Sequence, residues 1–80
     1  MPKYDYLVDA RGEACPMPLL KAKMQLNKMN AGECLKVMAT DAGSIRDFSS
    51  FIELTPNKLL MSEHEGEEFV YFIEKQDADS

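Results

Sequence analysis

The residue of this sequence best suited to chemistry is Cys15, which carries a thiol and is followed by two prolines in the stretch Cys15-Pro16-Met17-Pro18. Proline is favoured in the first turn of a helix, because its fixed φ suits the helix and its missing N–H would lack a partner there. The pattern therefore predicts a thiol at the start of a helix that runs from Leu19 to about Met29. The N–H groups of Met17 and Leu19 and the positive end of the helix dipole would stabilise a thiolate, so we expect a thiol pKa below the ordinary value of about 8.5.

The second cysteine, Cys34, lies where a strand is predicted to begin, away from any helix start, and we interpret it as a structural thiol. An alternative is a dithiol oxidoreductase that uses Cys15 with Cys34, although the chain has no Cys-x-x-Cys pair. A zinc site needs four ligands, and beyond the two cysteines the chain offers only His64 and scattered carboxylates. We therefore predict no metal site, and we interpret His64 as a surface residue near a hairpin turn.

The length and composition indicate one small folded unit. A chain of 80 residues, 45% of them apolar, has enough apolar surface for one core. We expect a single domain over residues 1–80, with 76–80 as a disordered tail, and a monomer. No apolar run approaches the roughly 18 residues of a membrane span, and the first residues lack the apolar core of a signal peptide. We therefore predict a cytoplasmic protein without membrane insertion.

Charge is unevenly distributed along the chain. Residues 1–40 carry six basic and four acidic side chains, whereas residues 41–80 carry three and ten, which together give the net charge of −5. Such a surface is unsuited to phosphate backbones, so we expect no direct nucleic-acid partner. The positive charge follows Cys15, where Lys21, Lys23 and Lys28 would attract an acidic patch on a protein partner.

The apolar residues of the first helix fall into two groups. At about 100° per residue, one group forms a stripe suited to packing on a sheet and consists of Leu19, Ala22, Leu26 and Met29. The other group lies on the side of Cys15 and consists of Met17, Leu20 and Met24. Exposed methionine and leucine near a reactive thiol indicate a docking patch for a partner, to which Lys21 and Lys23 would contribute. The alternative is that this second group packs against the second helix.

The next elements follow from alternation and from cap and turn residues. A first strand is predicted over residues 4–10, and Gly12 supplies the turn that leads toward the helix. A second strand follows a helix cap at Asn30 or Gly32, and its inward side chains are predicted to be Leu35, Val37 and Ala39.

The second helix is predicted to end before Pro56, which excludes the helical conformation at the preceding residue. Its N-cap is predicted at Asp41 or Ser44, and Ser44 has the spacing of a capping box with Asp47. Its core positions are predicted to be Ile45, Phe48, Phe51 and Ile52.

The last two strands are predicted over residues 58–64 and 67–75, joined by a hairpin around Glu65-Gly66. The second of them is apolar on both faces, which favours a central place in a sheet. The order of elements is thus βαβαββ. It predicts an α+β fold, a two-layer α/β sandwich in which two helices cover one face of a four-stranded mixed sheet.

The stretch Leu7-Val8-Asp9-Ala10-Arg11-Gly12-Glu13-Ala14-Cys15-Pro16-Met17-Pro18 resembles the TusA/SirA-like sulfur-carrier family, in which a Cys-Pro-x-Pro motif follows the first strand. Further matching residues are Met29, Gly32-Glu33, Thr40-Asp41 and Arg46-Asp47. The resemblance implies that Cys15 carries sulfane sulfur as a persulfide, in a loop shaped by Gly12, Pro16 and Pro18.

The same resemblance implies partners and pathways. It implies a cysteine desulfurase or a rhodanese-like protein as sulfur donor, a downstream acceptor protein, and no cofactor other than the transient persulfide. Members of this family serve tRNA thiolation, molybdenum-cofactor synthesis, or thiosulfate and sulfur metabolism.

The chain departs from the family pattern at three places. Some carriers have a second cysteine in the second helix, where this chain reads Phe51-Ile52-Glu53. Glu13 stands in place of a leucine, and Ala42 in place of a proline. As an acid close to Cys15, Glu13 is expected to raise the thiol pKa somewhat. The alternative to a carrier is a non-catalytic regulatory or protein-interaction module in which Cys15 is a redox sensor.

Overall fold

The chain forms a four-stranded mixed sheet and two helices in the predicted order βαβαββ. The computed structural model describes residues 3–76, and the structural statements below refer to them. Its elements are β1 (Tyr6–Ala10), α1 (Met17–Leu26), β2 (Cys34–Ala39), α2 (Gly43–Leu54), β3 (Lys58–Glu65) and β4 (Glu68–Glu74).

The strand order across the sheet is β1-β2-β4-β3. β1 is parallel to β2, with Tyr6 opposite Leu35 and Ala10 opposite Ala39. This pairing is possible because α1 carries the chain back from the end of β1 to the side of the sheet where β1 began. β2 and β3 are both antiparallel to β4. The parallel pair has a direct consequence for the site described below: the carboxyl ends of β1 and β2 meet at one edge of the sheet.

Both helices pack on the same face of the sheet. Alternate residues of β2 and β4 point toward the helices and are buried, and they are Leu35, Val37, Phe69, Tyr71 and Ile73. The helices contribute Ala22, Leu26, Phe48 and Phe51 to the same core. The predicted sandwich with two helices on one face is therefore confirmed, as is the core stripe of α1.

β4 occupies the predicted central position and is buried on both faces. On the face away from the helices, Phe72 is fully buried although no helix covers it. Its ring lies 6.3 Å from the ring of Tyr4, and the ammonium group of Lys36 lies 5.8 Å from the Phe72 ring centre. The aliphatic stem of a lysine can cover apolar surface while its charge stays in water, which accounts for this burial.

The start of α2 differs from the predicted capping box. Ala42 is the N-cap and makes no side-chain cap bond. The hydroxyl of Ser44 is buried and forms a hydrogen bond of 2.9 Å with the hydroxyl of Tyr71. The capping-box prediction is wrong because the Ser44 hydroxyl is hydrogen-bonded to Tyr71 and not to the backbone of the first turn. Asp41 instead accepts a hydrogen bond of 2.7 Å from the N–H of Gly43.

Two further predictions about the helices are corrected. Ile45 is 48% exposed and is not a core residue, because the buried side of α2 faces the sheet through Phe48 and Phe51. α1 ends at Leu26, and single hydrogen-bonded turns continue from there to Met29. The left-handed conformation that follows is taken by Gly32, with φ of 91°, and not by Asn30.

The hairpin between β3 and β4 turns at Gly66, whose φ is 61°, next to the paired residues Glu65 and Glu68. Beyond β4, the N–H of Gln76 donates a hydrogen bond of 2.9 Å to the side-chain oxygen of Asn57. The remainder of the predicted tail, 77–80, lies outside the described residues. Within residues 3–76, neither helix has the length and apolar character required to span a membrane.

Leu35→Ala tests the core. Leu35 is fully buried between the sheet and the helices, so we expect the free energy of unfolding to fall by about 2–5 kcal/mol in urea titrations. Leu54→Ala is the matched control, because Leu54 is 84% exposed, and we expect a change within about 0.5 kcal/mol. Equal decreases in the free energy of unfolding of the two variants would contradict the placement of Leu35 in the core.

Candidate functional site

Cys15 lies where two loops meet at the carboxyl ends of β1 and β2. Because these strands are parallel neighbours, the loop that leads to α1 and the loop that leads to α2 leave the sheet side by side. Two hydrogen bonds join the loops. The N–H of Gly12 donates to the hydroxyl of Thr40 at 2.8 Å, and the N–H of Cys15 donates to Oδ2 of Asp41 at 2.9 Å.

The turn after β1 directs the chain toward this junction. Gly12 has a φ of 83°, a conformation that side-chain-bearing residues rarely adopt, so a glycine suits the turn. Just before it, the Arg11 guanidinium and backbone N–H both donate to the carboxylate of Asp9. These bonds lower the pKa of Asp9 to about 2.

The thiol of Cys15 is exposed, and its Sγ donates a hydrogen bond to Oδ2 of Asp47 in α2. Asp47 reaches the thiol because it lies four residues after Gly43, on the same side of the helix. We call Cys15, Asp41, Gly43 and Asp47 together the thiol site.

The predicted low pKa of Cys15 is wrong, because the pKa is raised. The largest cause is the hydrogen bond to the Asp47 carboxylate, followed by partial desolvation and by the negative charges of Asp47 and Asp41. Arg46 acts in the opposite direction and is the smallest of these influences. The predicted upward effect of Glu13 does not appear among them, and its carboxylate is instead paired with the ammonium group of Lys21.

The start of α1 also differs from the anion-binding geometry that the prolines predict. The N–H of Met17 is bonded to the carbonyl of Ala14 at 2.9 Å and is not free to face the thiol. Pro16 is the N-cap residue, joined to Cys15 by a cis peptide bond, and Pro18 is buried in the first turn. Pro18 thus lies in the first turn as predicted and Pro16 directly precedes that turn, whereas the polar partner of the thiol is a carboxylate.

Gly43 is in close contact with Cys15. A Cβ atom at this position would lie 3.3 Å from Cβ of Cys15, 3.6 Å from its Sγ and 3.1 Å from Oδ1 of Asp41. The absence of a side chain at Gly43 therefore allows the thiol loop to pack directly on the start of α2.

The second apolar group of α1 is exposed, which argues against the alternative that it packs against α2. Met17, Leu20 and Met24 are 40%, 44% and 63% exposed. The neighbouring lysines make contacts within the chain, because Lys21 pairs with Glu13 and the ammonium group of Lys23 lies 5.7 Å from the centre of the Phe51 ring. The role of this surface in binding a partner stays a prediction.

A cleft of about 240 Å³ runs between α1 and α2 beside the thiol site. Leu19 and Lys23 line it from α1, and Asp47, Phe51 and Leu54 are among the residues that line it from α2. The Asp47 side chain is therefore accessible from the surface as well as in contact with the thiol.

Cys34 lies far from Cys15. It is buried at the start of β2, where burial is the largest cause of its raised pKa, whereas the thiol site adjoins the end of that strand. At about 3.3 Å per residue, the six-residue strand separates the two positions by roughly 16 Å. Both cysteines are free, and this separation argues against a dithiol mechanism.

His64 is exposed, as predicted. Its ring stacks on Phe69 with 4.3 Å between the ring centres, and its Nε2 lies 2.8 Å from the carbonyl oxygen of Gly66. Within residues 3–76, no group of three or more His, Cys, Asp or Glu side chains has the geometry of a metal site.

Asp47 and Gly43 were missed as site residues by the sequence analysis. The signal that would have identified them is the parallel pairing of β1 and β2, which places the first turn of the second helix beside the Cys15 loop. The spacing of Ser44 and Asp47 in the sequence instead favours a capping box, an interpretation that does not connect Asp47 with Cys15.

Gly43→Ala tests the close contact at the thiol site. A glycine-to-alanine change in a helix normally stabilises it by about 0.5–1 kcal/mol, but the crowded Cβ should reverse this effect. We expect urea titrations to detect a net destabilisation of about 1 kcal/mol. Ser49→Ala, at an exposed position of α2, is the control and should change stability by less than about 0.5 kcal/mol. A Gly43→Ala variant more stable than the original protein would rule out the contact.

Comparisons with known proteins identify similar sequences along nearly the whole chain. A family model described as sulfurtransferase TusA matches residues 6–75. The sulfur carrier protein TusA of Allochromatium vinosum is 45% identical over 75 residues, covering 94% of this chain and 99% of that protein. TusA of Pseudomonas putida is 33% identical and covers 90% of each chain.

A further relative is longer. The putative sulfur carrier protein YrkF of Bacillus subtilis is 40% identical over 94% of this chain, but the match covers 40% of YrkF. The segment matched by the family model begins with β1 and ends just after β4, so it contains all six elements and both loops of the thiol site. The chain belongs to the TusA family.

Proposed function

We propose that this protein is a sulfur carrier that accepts sulfane sulfur as a persulfide on Cys15 and transfers it to an acceptor protein. The observation that carries the proposal is the position of Cys15 as an exposed free thiol where two loops meet, whereas Cys34 is buried at the opposite end of β2. The relatives named as sulfur carrier proteins support the same role.

Uptake of sulfur is a thiol exchange that needs one cysteine. Sγ of Cys15 loses its proton and attacks the outer sulfur of a persulfide on the donor, so that a new S–S bond forms. The S–S bond of the donor breaks, its electron pair stays on the inner sulfur, and this sulfur leaves as a thiolate that takes up a proton. No net oxidation occurs, and delivery to an acceptor thiol is the same reaction with Cys15 as leaving group.

The donor in this proposal is a cysteine desulfurase or a rhodanese-like protein, and the acceptor belongs to tRNA thiolation, molybdenum-cofactor synthesis, or thiosulfate and sulfur metabolism. The carrier needs no cofactor besides its own persulfide. The exposed side chains of Met17, Leu20 and Met24 lie on the helix that begins next to Cys15, and the proposal assigns to them, with Lys21 and Lys23, contact with these partners.

Intact-mass spectrometry tests the carrier chemistry. After incubation with a cysteine desulfurase and cysteine, or with a rhodanese and thiosulfate, we expect a gain of one sulfur, about 32 Da, that a reductant removes. Cys15→Ser should abolish the gain because it removes the accepting thiol. Cys34→Ser is the matched control and should retain the gain. Absence of sulfur uptake from both donors by the folded protein would favour the regulatory interaction module instead.

Met24→Asp tests the docking surface on α1. Removing an exposed apolar contact and adding a negative charge should lower the rate of sulfur transfer from the donor at sub-saturating concentration by about fivefold or more. Met61→Asp is the matched control, because Met61 is also exposed but lies on β3, at the sheet edge remote from β1. Equal transfer rates in the two variants would contradict the assignment of α1 to the interface with the donor.

A further inference from the structure

The contact between Cys15 and Asp47 has a consequence for the two states of a carrier. In the empty protein, the S–H group of Cys15 is a donor, and Oδ2 of Asp47 accepts its hydrogen bond. Asp47 belongs to none of the ion pairs among residues 3–76, so the thiol is the partner that the structure gives its carboxylate. Both oxygens of the neighbouring Asp41, in contrast, accept backbone N–H groups, from Cys15 and from Gly43.

We propose that Asp47 is a positioning residue that holds Cys15 as a protonated thiol in the empty carrier and destabilises the persulfide-loaded carrier. This inference rests on the proposed function. It assigns to Asp47 the role of favouring the release of sulfur over its retention.

The loaded state loses the hydrogen bond for a chemical reason. When Sγ forms a bond to a second sulfur, it no longer carries a hydrogen, and two electron-rich atoms, Sγ and Oδ2, then face each other. The outer sulfur can donate to Asp47 only while it is protonated. The carboxylates of Asp47 and Asp41 disfavour negative charge on Sγ, and an anionic outer sulfur, one bond away from Sγ, would be disfavoured for the same reason.

The other charges around the thiol do not reverse this balance. Arg46, on the same helix as Asp47, favours the anionic thiol but acts less strongly than the two carboxylates. On the thiol's own loop, Glu13 is paired with Lys21 of α1. The negative charges of Asp47 and Asp41 therefore outweigh the opposing charge of Arg46.

The exchange remains balanced in atoms and electrons. The empty carrier and a protonated donor persulfide, Cys15–SH and R–S–SH, give Cys15–S–SH and R–SH, with one S–S bond formed and one broken. Asp47 is neither consumed nor protonated in the net reaction. It changes the relative free energies of the empty and loaded carriers, because the hydrogen bond from Sγ exists only in the empty carrier and an ionised outer sulfur in the loaded carrier is close to a carboxylate.

Asp47→Asn tests the inference through the pH dependence of alkylation by iodoacetamide. Asparagine has nearly the same shape but no charge, and its amide can donate a hydrogen bond to a thiolate. We expect the midpoint of the pH profile of Cys15 to move to lower pH. A thiol whose pKa falls by one unit gains about tenfold in thiolate fraction and loses about threefold in nucleophilicity, so the rate at pH 7 should rise about threefold for each such unit.

A second measurement follows the loaded state. In equilibrium with a low-molecular-weight persulfide and its thiol, such as glutathione persulfide and glutathione, the fraction of protein carrying one extra sulfur should be higher in Asp47→Asn than in the original protein. Glu53→Gln is the matched control for both measurements, because it removes one negative charge from an exposed position of the same helix away from the thiol. Asp47→Ser, which also lacks the carboxylate, replaces the asparagine variant if that variant does not fold.

The outcomes separate this inference from the proposed function. If the original protein takes up sulfur but the alkylation profile of Asp47→Asn coincides with that of Glu53→Gln, the inference is overturned and the carrier function stands. An unchanged loaded fraction in Asp47→Asn would equally overturn the claim that Asp47 favours release. If the original protein takes up no sulfur from any donor, the carrier function fails. A shifted alkylation profile of Asp47→Asn would in that case still show that Asp47 stabilises the protonated thiol.

Discussion

The parallel pairing of β1 with β2 is the constraint on which the thiol site depends. It places the ends of both strands at one edge of the sheet, so that the loop carrying Cys15 and the start of α2 become neighbours. α1 must cross over the sheet to make this pairing possible, and its buried stripe through Ala22 and Leu26 packs it on the core. The antiparallel strands β4 and β3 complete the sheet, and Tyr71 of β4 anchors the first turn of α2 through its hydroxyl bond to Ser44. The core and the site are therefore linked through that turn.

The electrostatics of the thiol site suit a carrier better than they suit an enzyme with a permanently activated nucleophile. A helix start favours a thiolate, but the carboxylate of Asp47 is in direct contact with Sγ and keeps the proton on the sulfur. A protonated thiol is a weak nucleophile and resists oxidation and alkylation between transfer events. Asp47 also lines the surface cleft between α1 and α2, so a docked partner has access to the carboxylate that restrains the thiol.

Much of this architecture follows from local patterns in the sequence. Alternating apolar residues identify the strands, the two prolines mark the start of α1, and the spacing of Ala22 and Leu26 identifies its buried side. Two of the errors, the capping box of Ser44 and the pKa of Cys15, share one cause, since each depends on a partner distant in sequence. The Ser44 hydroxyl bonds Tyr71, 27 residues away, and the thiol of Cys15 bonds Asp47, 32 residues away. The direction of the thiol pKa depends on this second contact, and no helical or strand periodicity contains that information.

The most direct test of this account is an NMR titration of Cys15 labelled with ¹³C at Cβ in the otherwise unmodified, reduced protein. The Cβ shift reports the protonation of Sγ without any reagent or partner. We expect a midpoint above about 8.5, the ordinary value for a cysteine thiol, because the Asp47 carboxylate accepts the hydrogen bond of the protonated form. A midpoint near or below neutral pH would contradict it, because the start of α1 would then dominate and Cys15 would be a thiolate in the empty protein.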